Sequence, residues 1–377
     1  MSTTNSDSNG LWDVSVVTLN CARDFPFRDQ QEKLAILKEL ITFNSNNAQD
    51  IYAVGFQELV RIWEGAGKIR MEAALIDILK DILDILDELF PQNNYKKLGY
   101  SYVGATAVLV VGKETIECHD SASTTSNCGK FGSTLKGGTA YSFRLKKNES
   151  TVLQTFTFIS CHLNANEGED NMTSRINDYD RIMTQCNRDF SDLEFRKGHI
   201  FVFGDLNFRV NDPNFKAHIA SEWEPTLRKH EELNHLRAKH VIFRGFDEQP
   251  VTFPPTYKYK VGDMISYNNK RIPSWCDRIL YKKYPSGLPM GKARYESLER
   301  VRHMQFTDHQ AVGLAIQVPD LTKDNKHELE LIRLLEPLNE TLGYFADTLL
   351  AYEWLRRSTP VYILAALILF YFFYNLL

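Results

Sequence analysis

Between Trp12 and about Val318 the sequence is a succession of short apolar runs separated by longer amphipathic or polar stretches, and this alternation excludes most other ways of folding the chain. The runs at 14–19, 51–56, 107–111, 139–144, 153–159, 200–203 and 311–318 are rich in Val, Ile, Phe and Thr and too short for helices, so they read as buried strands. The stretch 72–90 reads as a helix, because Leu75, Ile78, Leu79, Ile82, Ile85, Leu86 and Leu89 recur at helical spacing and Pro91 stops it. Its Asp77, Asp81, Asp84 and Asp87 read as the solvated face of that helix rather than as a metal site. Strands alternating with helices, with no repeat of fixed period, predict one α/β domain over residues 11–318, preceded by a disordered Ser/Thr/Asn-rich segment, 1–10.

A formal net charge of −4 excludes a nucleic-acid binder that relies on a general positive field. The six cysteines are far apart and form no Cys-x-x-Cys pair, so they read as reduced thiols. The first ten residues have neither the basic nor the apolar part of a signal peptide, which places the main domain in the cytosol.

After Val318 the composition shifts to a charged, Leu-rich stretch, 319–360, that reads as a helical linker. Residues 361–377 carry no charge and follow Arg356 and Arg357. As a helix this run spans about 25 Å, at about 1.5 Å per residue. It reads as a single-pass transmembrane helix inserted as a tail anchor, with the catalytic domain cytosolic, and its length suits the thinner endoplasmic reticulum bilayer of roughly 27 Å.

Four segments put a metal-binding or proton-moving side chain at the end of an apolar run: Asn20 after Thr18-Leu19, Glu58 after Gly55-Phe56-Gln57, Asp205 and Asn207 in the run FVFGDLNFRV, and Asp308-His309 after Phe306-Thr307. Each alone is ordinary loop chemistry. Together they supply what metal-assisted phosphate hydrolysis needs: hard oxygen donors, a carboxylate to handle water, and a histidine to stabilise phosphoryl oxygens. Two further segments bring groups suited to a polyanion. His162, Arg175 and Tyr179 follow the run 153–159, and RIPSWCDRIL carries Arg271, Asp277 and Arg278 around a buried-looking Trp275.

The runs FVFGDLNFR and RIPSWCDRIL resemble the two signature motifs of the inositol polyphosphate 5-phosphatases, and TLN, GFQE, SCHL, FPPTYKY and FTDHQAV fall where that family has counterparts. With its apolar C-terminal run the chain is similar, more narrowly, to tail-anchored fungal members that act on phosphatidylinositol 4,5-bisphosphate. The resemblance implies a DNase I-like four-layer sandwich, two mixed β-sheets between helices, plus the C-terminal transmembrane helix. It implies Mg²⁺ held by Glu58, with Asn20 and Asp308 close to it. Asp205 would activate water, Asn207 position it, and His162, Arg175 and Tyr179 hold the scissile phosphate. Asp277 would orient His309, and Tyr257, Lys258, Lys270, Arg271 and Arg278 would meet the remaining headgroup. Asn269 stands where most relatives carry a lysine, with Lys270 next to it. Ile62 and Trp63 would touch the membrane. The implied partners are a phosphoinositide lipid and a membrane, with no nucleic acid and a monomeric catalytic domain.

Two readings compete. A nuclease or sphingomyelinase of the same fold uses the same residue types, and a headgroup-binding module could keep the pocket without turnover.

Overall fold

The computed structural model describes residues 10–43, 47–65, 68–147, 152–286, 288, 290–321, 327–331 and 333–355. The run 361–377 lies outside the described residues, as do the side chains of Ile62 and Trp63. Among the described residues no helix is long and apolar enough to cross a membrane.

The elements run β1 (Leu11–Asn20), α1 (Gln30–Thr42), β2 (Ile51–Gln57), α2 (Ile62–Gly65), α3 (Lys68–Leu89), β3 (Tyr95–Val103), β4 (Thr106–Lys113), β5 (Ile116–Asn127), β6 (Gly137–Lys147), β7 (Gln154–His162), α4 (Glu169–Asp189) and β8 (His199–Asp205). They continue with α5 (Trp223–Lys229), α6 (Glu232–Ala238), β9 (Phe246–Asp247), β10 (Asp277–Lys282), β11 (Ala293–Ser297), β12 (Val312–Pro319) and α7 (Glu340–Leu355). The strands form two six-stranded sheets, ordered β11-β12-β1-β2-β4-β3 and β5-β6-β7-β8-β10-β9. Both sheets are mixed, because β1–β2 and β7–β8 pair in parallel and the other pairs are antiparallel.

Strand periodicity explains the layering. In β1, Trp12, Val14 and Val16 belong to one core, while Val17 and Leu19 belong to another. In β8, Phe201 and Phe203 face inward and Ile200 and Val202 outward. Successive side chains of a strand point to opposite faces, so each sheet is apolar on both and needs a cover on both. The inner faces cover each other. α1 and α3 cover the outer face of the first sheet, through Ile36, Leu40, Leu75 and Ile82 among others. α4 and α6 cover the second, through Ile182, Met183, Leu233 and Leu236. This is the DNase I-like four-layer sandwich.

Two details depart from the sequence reading. Asp81 of α3 is buried and, with Asp77, clamps the ammonium of Lys33 on α1, whose side chain is 1% exposed. The other three of that acidic set, Asp77, Asp84 and Asp87, are exposed. Among the described residues of the stretch read as a helical linker, the helix is confined to α7. Residues 327–331 and 333–339 have no helix, and Leu329 is buried in the core of the second sheet with its N–H donating to the Arg196 carbonyl at 2.8 Å. The six cysteines are all free, and only Cys118 is exposed.

The topology gathers the chemistry at one pole. Asn20↔Gln57 closes the parallel pair β1–β2, and His162↔Asp205 closes the parallel pair β7–β8. Asp277 opens β10 directly opposite Asp205. Carboxyl ends of parallel strands are where open α/β sheets place ligands.

Candidate active site

The cleft at this pole has a volume of about 310 Å³, and Asn20, Glu58, His162, Asp205, Asn207 and His309 are among the residues that line it. Asp205 is its centre. Oδ2 accepts from Asn20 Nδ2 at 2.8 Å and lies 3.3 Å from His162 Nε2, while Oδ1 accepts from the Asn207 N–H at 3.1 Å. Glycine is needed just before it: Gly204 has φ +132° and a Cβ there would sit 2.1 Å from the Cys161 carbonyl oxygen. Burial opposes ionisation of Asp205, but His309, His162 and Lys136 outweigh it and hold the carboxyl well below the usual range.

On the far side of Asp205 stands the pair Asp277–His309. His309 Nδ1 and Asp277 Oδ2 are 2.9 Å apart, and Thr256 Oγ1 donates to the same Oδ2 at 2.7 Å. The other imidazole nitrogen, Nε2, points at Asp205 Oδ2 from 3.9 Å. Burial lowers the imidazole, yet Asp277 and Asp205 raise it to about 9, so His309 is a cation at neutral pH. Burial pushes the Asp277 carboxyl up, against the pull of His309. The loop is tied to β1, because Thr307 Oγ1 donates to the Asn20 carbonyl at 2.7 Å and accepts from the His309 N–H at 3.1 Å.

His162 is buried yet lines the cleft, and its Nε2 meets both the Lys136 ammonium and Asp205 Oδ2. Burial and the Lys136 cation lower its pKa. Glu58, in the left-handed region at φ +48°, pairs with Arg23 at 2.8 Å and lies 3.9 Å from His162. Burial raises its carboxyl, but His162, Lys136 and Arg23 together bring it below the ordinary value.

Asp205, Asp277 and His309 bring their ligand atoms within 4.8 Å of one another, and because a protonated imidazole has no lone pair for a metal, the two carboxylates are the members of this grouping able to hold a divalent cation. The buried Asp277 Oδ1 has no hydrogen-bond partner, so the set has an oxygen donor to spare. The three residues implied as ligands by resemblance are nearby but engaged: Asn20 Oδ1 accepts from the Ala22 N–H at 3.0 Å, Glu58 pairs with Arg23, and Asp308 pairs with Lys258. Carboxylate and amide oxygens in this number suit a hard cation.

Tyr257, Lys258 and Arg271 also line the cleft. The Tyr257 ring packs on His309 with centroids 4.6 Å apart, and Arg271 Nη2 donates to Asn166 Oδ1 at 3.2 Å. Lys270 is exposed and does not line the cleft. Nor do three other residues assigned to substrate from the sequence. Arg175 is fully buried on α4, bound to Glu232 at 2.6 Å and to the Asn164 and Asn166 carbonyls, so it shapes the 164–166 loop from behind. Tyr179, one turn further on, packs on Phe243. Arg278 points to the outside of the second sheet, onto Glu248 and Glu231.

Two cations were missed. Lys136 reaches His162 because the strand register pairs Gly137 with His162. Its signal was the adjacent Gly137-Gly138. Arg209, inside the FVFGDLNFRV run, donates from Nε to the Asn207 carbonyl at 2.9 Å and from Nη2 to Asn207 Oδ1, so it sets the orientation of that amide.

The chain is 32% identical over 256 residues to phosphatidylinositol 3,4,5-trisphosphate 5-phosphatase 2 of Mus musculus, an alignment covering 63% of this chain and 19% of that protein. It is 29% identical over 317 residues to the type II inositol 1,4,5-trisphosphate 5-phosphatase of Mus musculus, covering 77% of this chain and 29% of that one. The chain thus spans less than a third of the length of these curated relatives. Among solved structures, the inositol polyphosphate 5-phosphatase domain of SPsynaptojanin, in complex with inositol (1,4)-bisphosphate and calcium ion, matches with a TM-score of 0.60 at 22% identity over 93% of each chain. A Cimex nitrophorin, as its ferrous NO complex, matches with a TM-score of 0.56 at 22% identity over 82% of this chain and 99% of that one. These likenesses show the fold, and their different chemistries show that the fold alone does not fix the reaction. The model of Endonuclease/Exonuclease/phosphatase family 2 matches residues 17–315, which takes in all of the second sheet, most of the first and every cleft residue named above, and the chain belongs to that family.

Proposed function

We propose that the cleft hydrolyses the 5-phosphate of phosphatidylinositol 4,5-bisphosphate to give phosphatidylinositol 4-phosphate, with Mg²⁺ as cofactor. The observation that carries this reading is that one cleft holds both a reacting centre, Asp205, His162, Lys136 and His309, and two further cations on its wall, Lys258 and Arg271. A substrate with two neighbouring phosphates satisfies both. The names of the relatives support the same class.

In this mechanism a water molecule attacks phosphorus in line as the bond to the inositol oxygen breaks, and no phosphoenzyme forms. Asp205 orients the water and takes its proton. A carboxyl held so low is a weak base in the empty cleft, but the negative charge of an entering phosphate offsets the surrounding cations and raises it. Asn207, fixed by Arg209, positions the water. His309, kept protonated and aligned by Asp277, donates to the charge that develops on the transferring group. When bound near Asp205, with Glu58, Asn20 and Asp308 as further oxygen donors, Mg²⁺ supplies neutralisation of the phosphoryl oxygens.

The test is phosphate release across a panel of inositol lipids, soluble inositol phosphates and diester DNA. Phosphatidylinositol 4,5-bisphosphate is expected to be preferred over the 5-monophosphate, and diester DNA to be inert. Arg271→Ala should narrow that preference by about tenfold or more, since a hydrogen bond to a charged group contributes about 1.5–3 kcal/mol. Equal hydrolysis of both lipids by the unmodified protein would overturn the assignment of the wall.

We propose, too, that residues 361–377 attach the protein to the endoplasmic reticulum membrane with the catalytic domain in the cytosol. Support comes from the absence of charge over the whole run and from the Arg356-Arg357 flank. Removing 361–377 should release the protein from carbonate-washed membranes and abolish a reticular fluorescence pattern. Retention in the washed membranes would refute it.

A further inference from the structure

Helix α7 is fixed to the rim of the cleft. A Cβ on Gly343 would lie 2.0 Å from the Gly132 carbonyl oxygen, so helix and turn touch backbone to backbone. Both carboxylate oxygens of Asp347 accept from the Thr134 N–H, at 3.0 and 3.2 Å. Gly343, Ala346 and Asp347 are spaced by three and one, hence on one stripe of the helix, and that stripe faces the domain. Thr134 and Leu135, just beyond the contact, line a small cavity of about 30 Å³ shared with Glu58 and His162.

A neighbouring stripe, about a third of a turn around the helix, is apolar and uncovered. Leu342, Phe345 and Leu349 recur at spacings of three and four and are 56%, 64% and 55% exposed. Phe131, on the turn that α7 grips, is 77% exposed although its backbone is in the left-handed region at φ +59°. A bulky aromatic held there and turned to solvent is costly in two ways, and such costs persist at functional positions. The segment that follows Lys258, itself on the cleft lining, presents Val261 and Ile265, 63% and 76% exposed. Two chain segments that contribute to the cleft lining, the one ending at Lys136 and the one beginning at Tyr257, thus each carry an exposed apolar tip.

We propose that these tips form a lipid-docking surface, with α7 lying in the headgroup region and the cleft mouth turned to the membrane. The occupant is a lipid surface because only five residues, 356–360, separate α7 from the uncharged run 361–377. Five residues reach at most about 18 Å. Whatever holds that run therefore lies within that reach of the C-terminal end of α7, and an exposed stripe with no charge among residues 341–349 except the inward Asp347 is the pattern of an interfacial helix. This inference rests on the membrane reading of residues 361–377 and is tested without reference to turnover.

The full chain in a Cys118→Ser background, reconstituted in phosphatidylcholine vesicles, would carry an environment-sensitive fluorophore on Phe345→Cys, Phe131→Cys or Ile265→Cys. Glu194→Cys is the control, because residue 194 precedes β8 and so lies at the pole away from the cleft. Brominated acyl chains are expected to quench the labels at 345, 131 and 265 at a depth of about 5–10 Å below the headgroups, and to leave 194 unaffected. Protein that floats with the vesicles while the label at 345 stays unquenched overturns this inference alone. Protein that does not float overturns it together with the attachment through 361–377. A blue-shifted but unquenched signal at 345 that grows with protein density assigns the face to a second copy of the chain and also overturns it.

Discussion

Asp205→Asn is expected to lower turnover by about 10² to 10⁴ while the protein stays folded, the usual loss when a positioned proton acceptor is removed. The substitution is isosteric, and the amide oxygen can still accept the Asn207 N–H that Oδ1 accepts at 3.1 Å. What it removes is the charge at the meeting point of Asn20, His162 and His309. Loss of that charge has a second signature. Asp205 is one of the three carboxylates, with Asp277 and Asp308, that raise His309 to about 9, so the imidazole should titrate at lower pH in the variant, and proton NMR of the ring reads this directly. The stability that His309 draws from its raised pKa is present below the ordinary histidine value and is lost as pH rises through about 9, so the variant should lose part of it at neutral pH. Phosphate release from a soluble headgroup in excess Mg²⁺, compared with a melting curve, separates the effects. Near-normal turnover in a folded variant would remove the role given to Asp205.

The polar residues that end apolar strands are legible because two signals coincide there: a short apolar run, buried on both faces, and an abrupt polar stop. Asn20, His162 and Asp205 are such stops, and pairing in register brings the last two together. The strands that left no such mark were missed. β5 is exposed along most of its length, so its CHDSASTTS run has no apolar alternation to see. β10 was read only as a motif. Side-chain direction was the other loss. Arg175 and Tyr179, four apart, share a face of α4, but spacing does not say whether that face looks into the cleft or into the core. It looks into the core. Lys136 is the converse case: it reaches the reacting centre through a pairing between residues 25 apart, Gly137 with His162, and no local pattern encodes that.

Arg278→Met is expected to destabilise the fold by about 3–5 kcal/mol and to leave the affinity of the remaining folded protein for its substrate unchanged. The Arg278 side chain is fully buried. Its Nε and Nη2 meet the two oxygens of Glu248 at 2.6 and 2.7 Å, a bidentate pair, and Nη1 lies 3.4 Å from Glu231 Oε1. Methionine fills similar space without charge and strands buried carboxylates. Arg237 and the Tyr295 hydroxyl still reach Glu248, at 2.9 and 3.0 Å, so the unrelieved burden falls on Glu231. Burial already raises the Glu231 carboxyl, and Arg278 is the first of the groups that bring it down again. Without the arginine its pKa rises further, so the cost of keeping it ionised is present at neutral pH and is relieved as pH falls and the carboxyl protonates. Urea midpoints of the two proteins should therefore lie far apart at neutral pH and converge on acidification. Arg278→Lys should recover only part of the loss, because one ammonium cannot span both oxygens of Glu248. An arginine that bound substrate would give the opposite result: an unchanged urea midpoint, a raised KM, and no convergence at low pH.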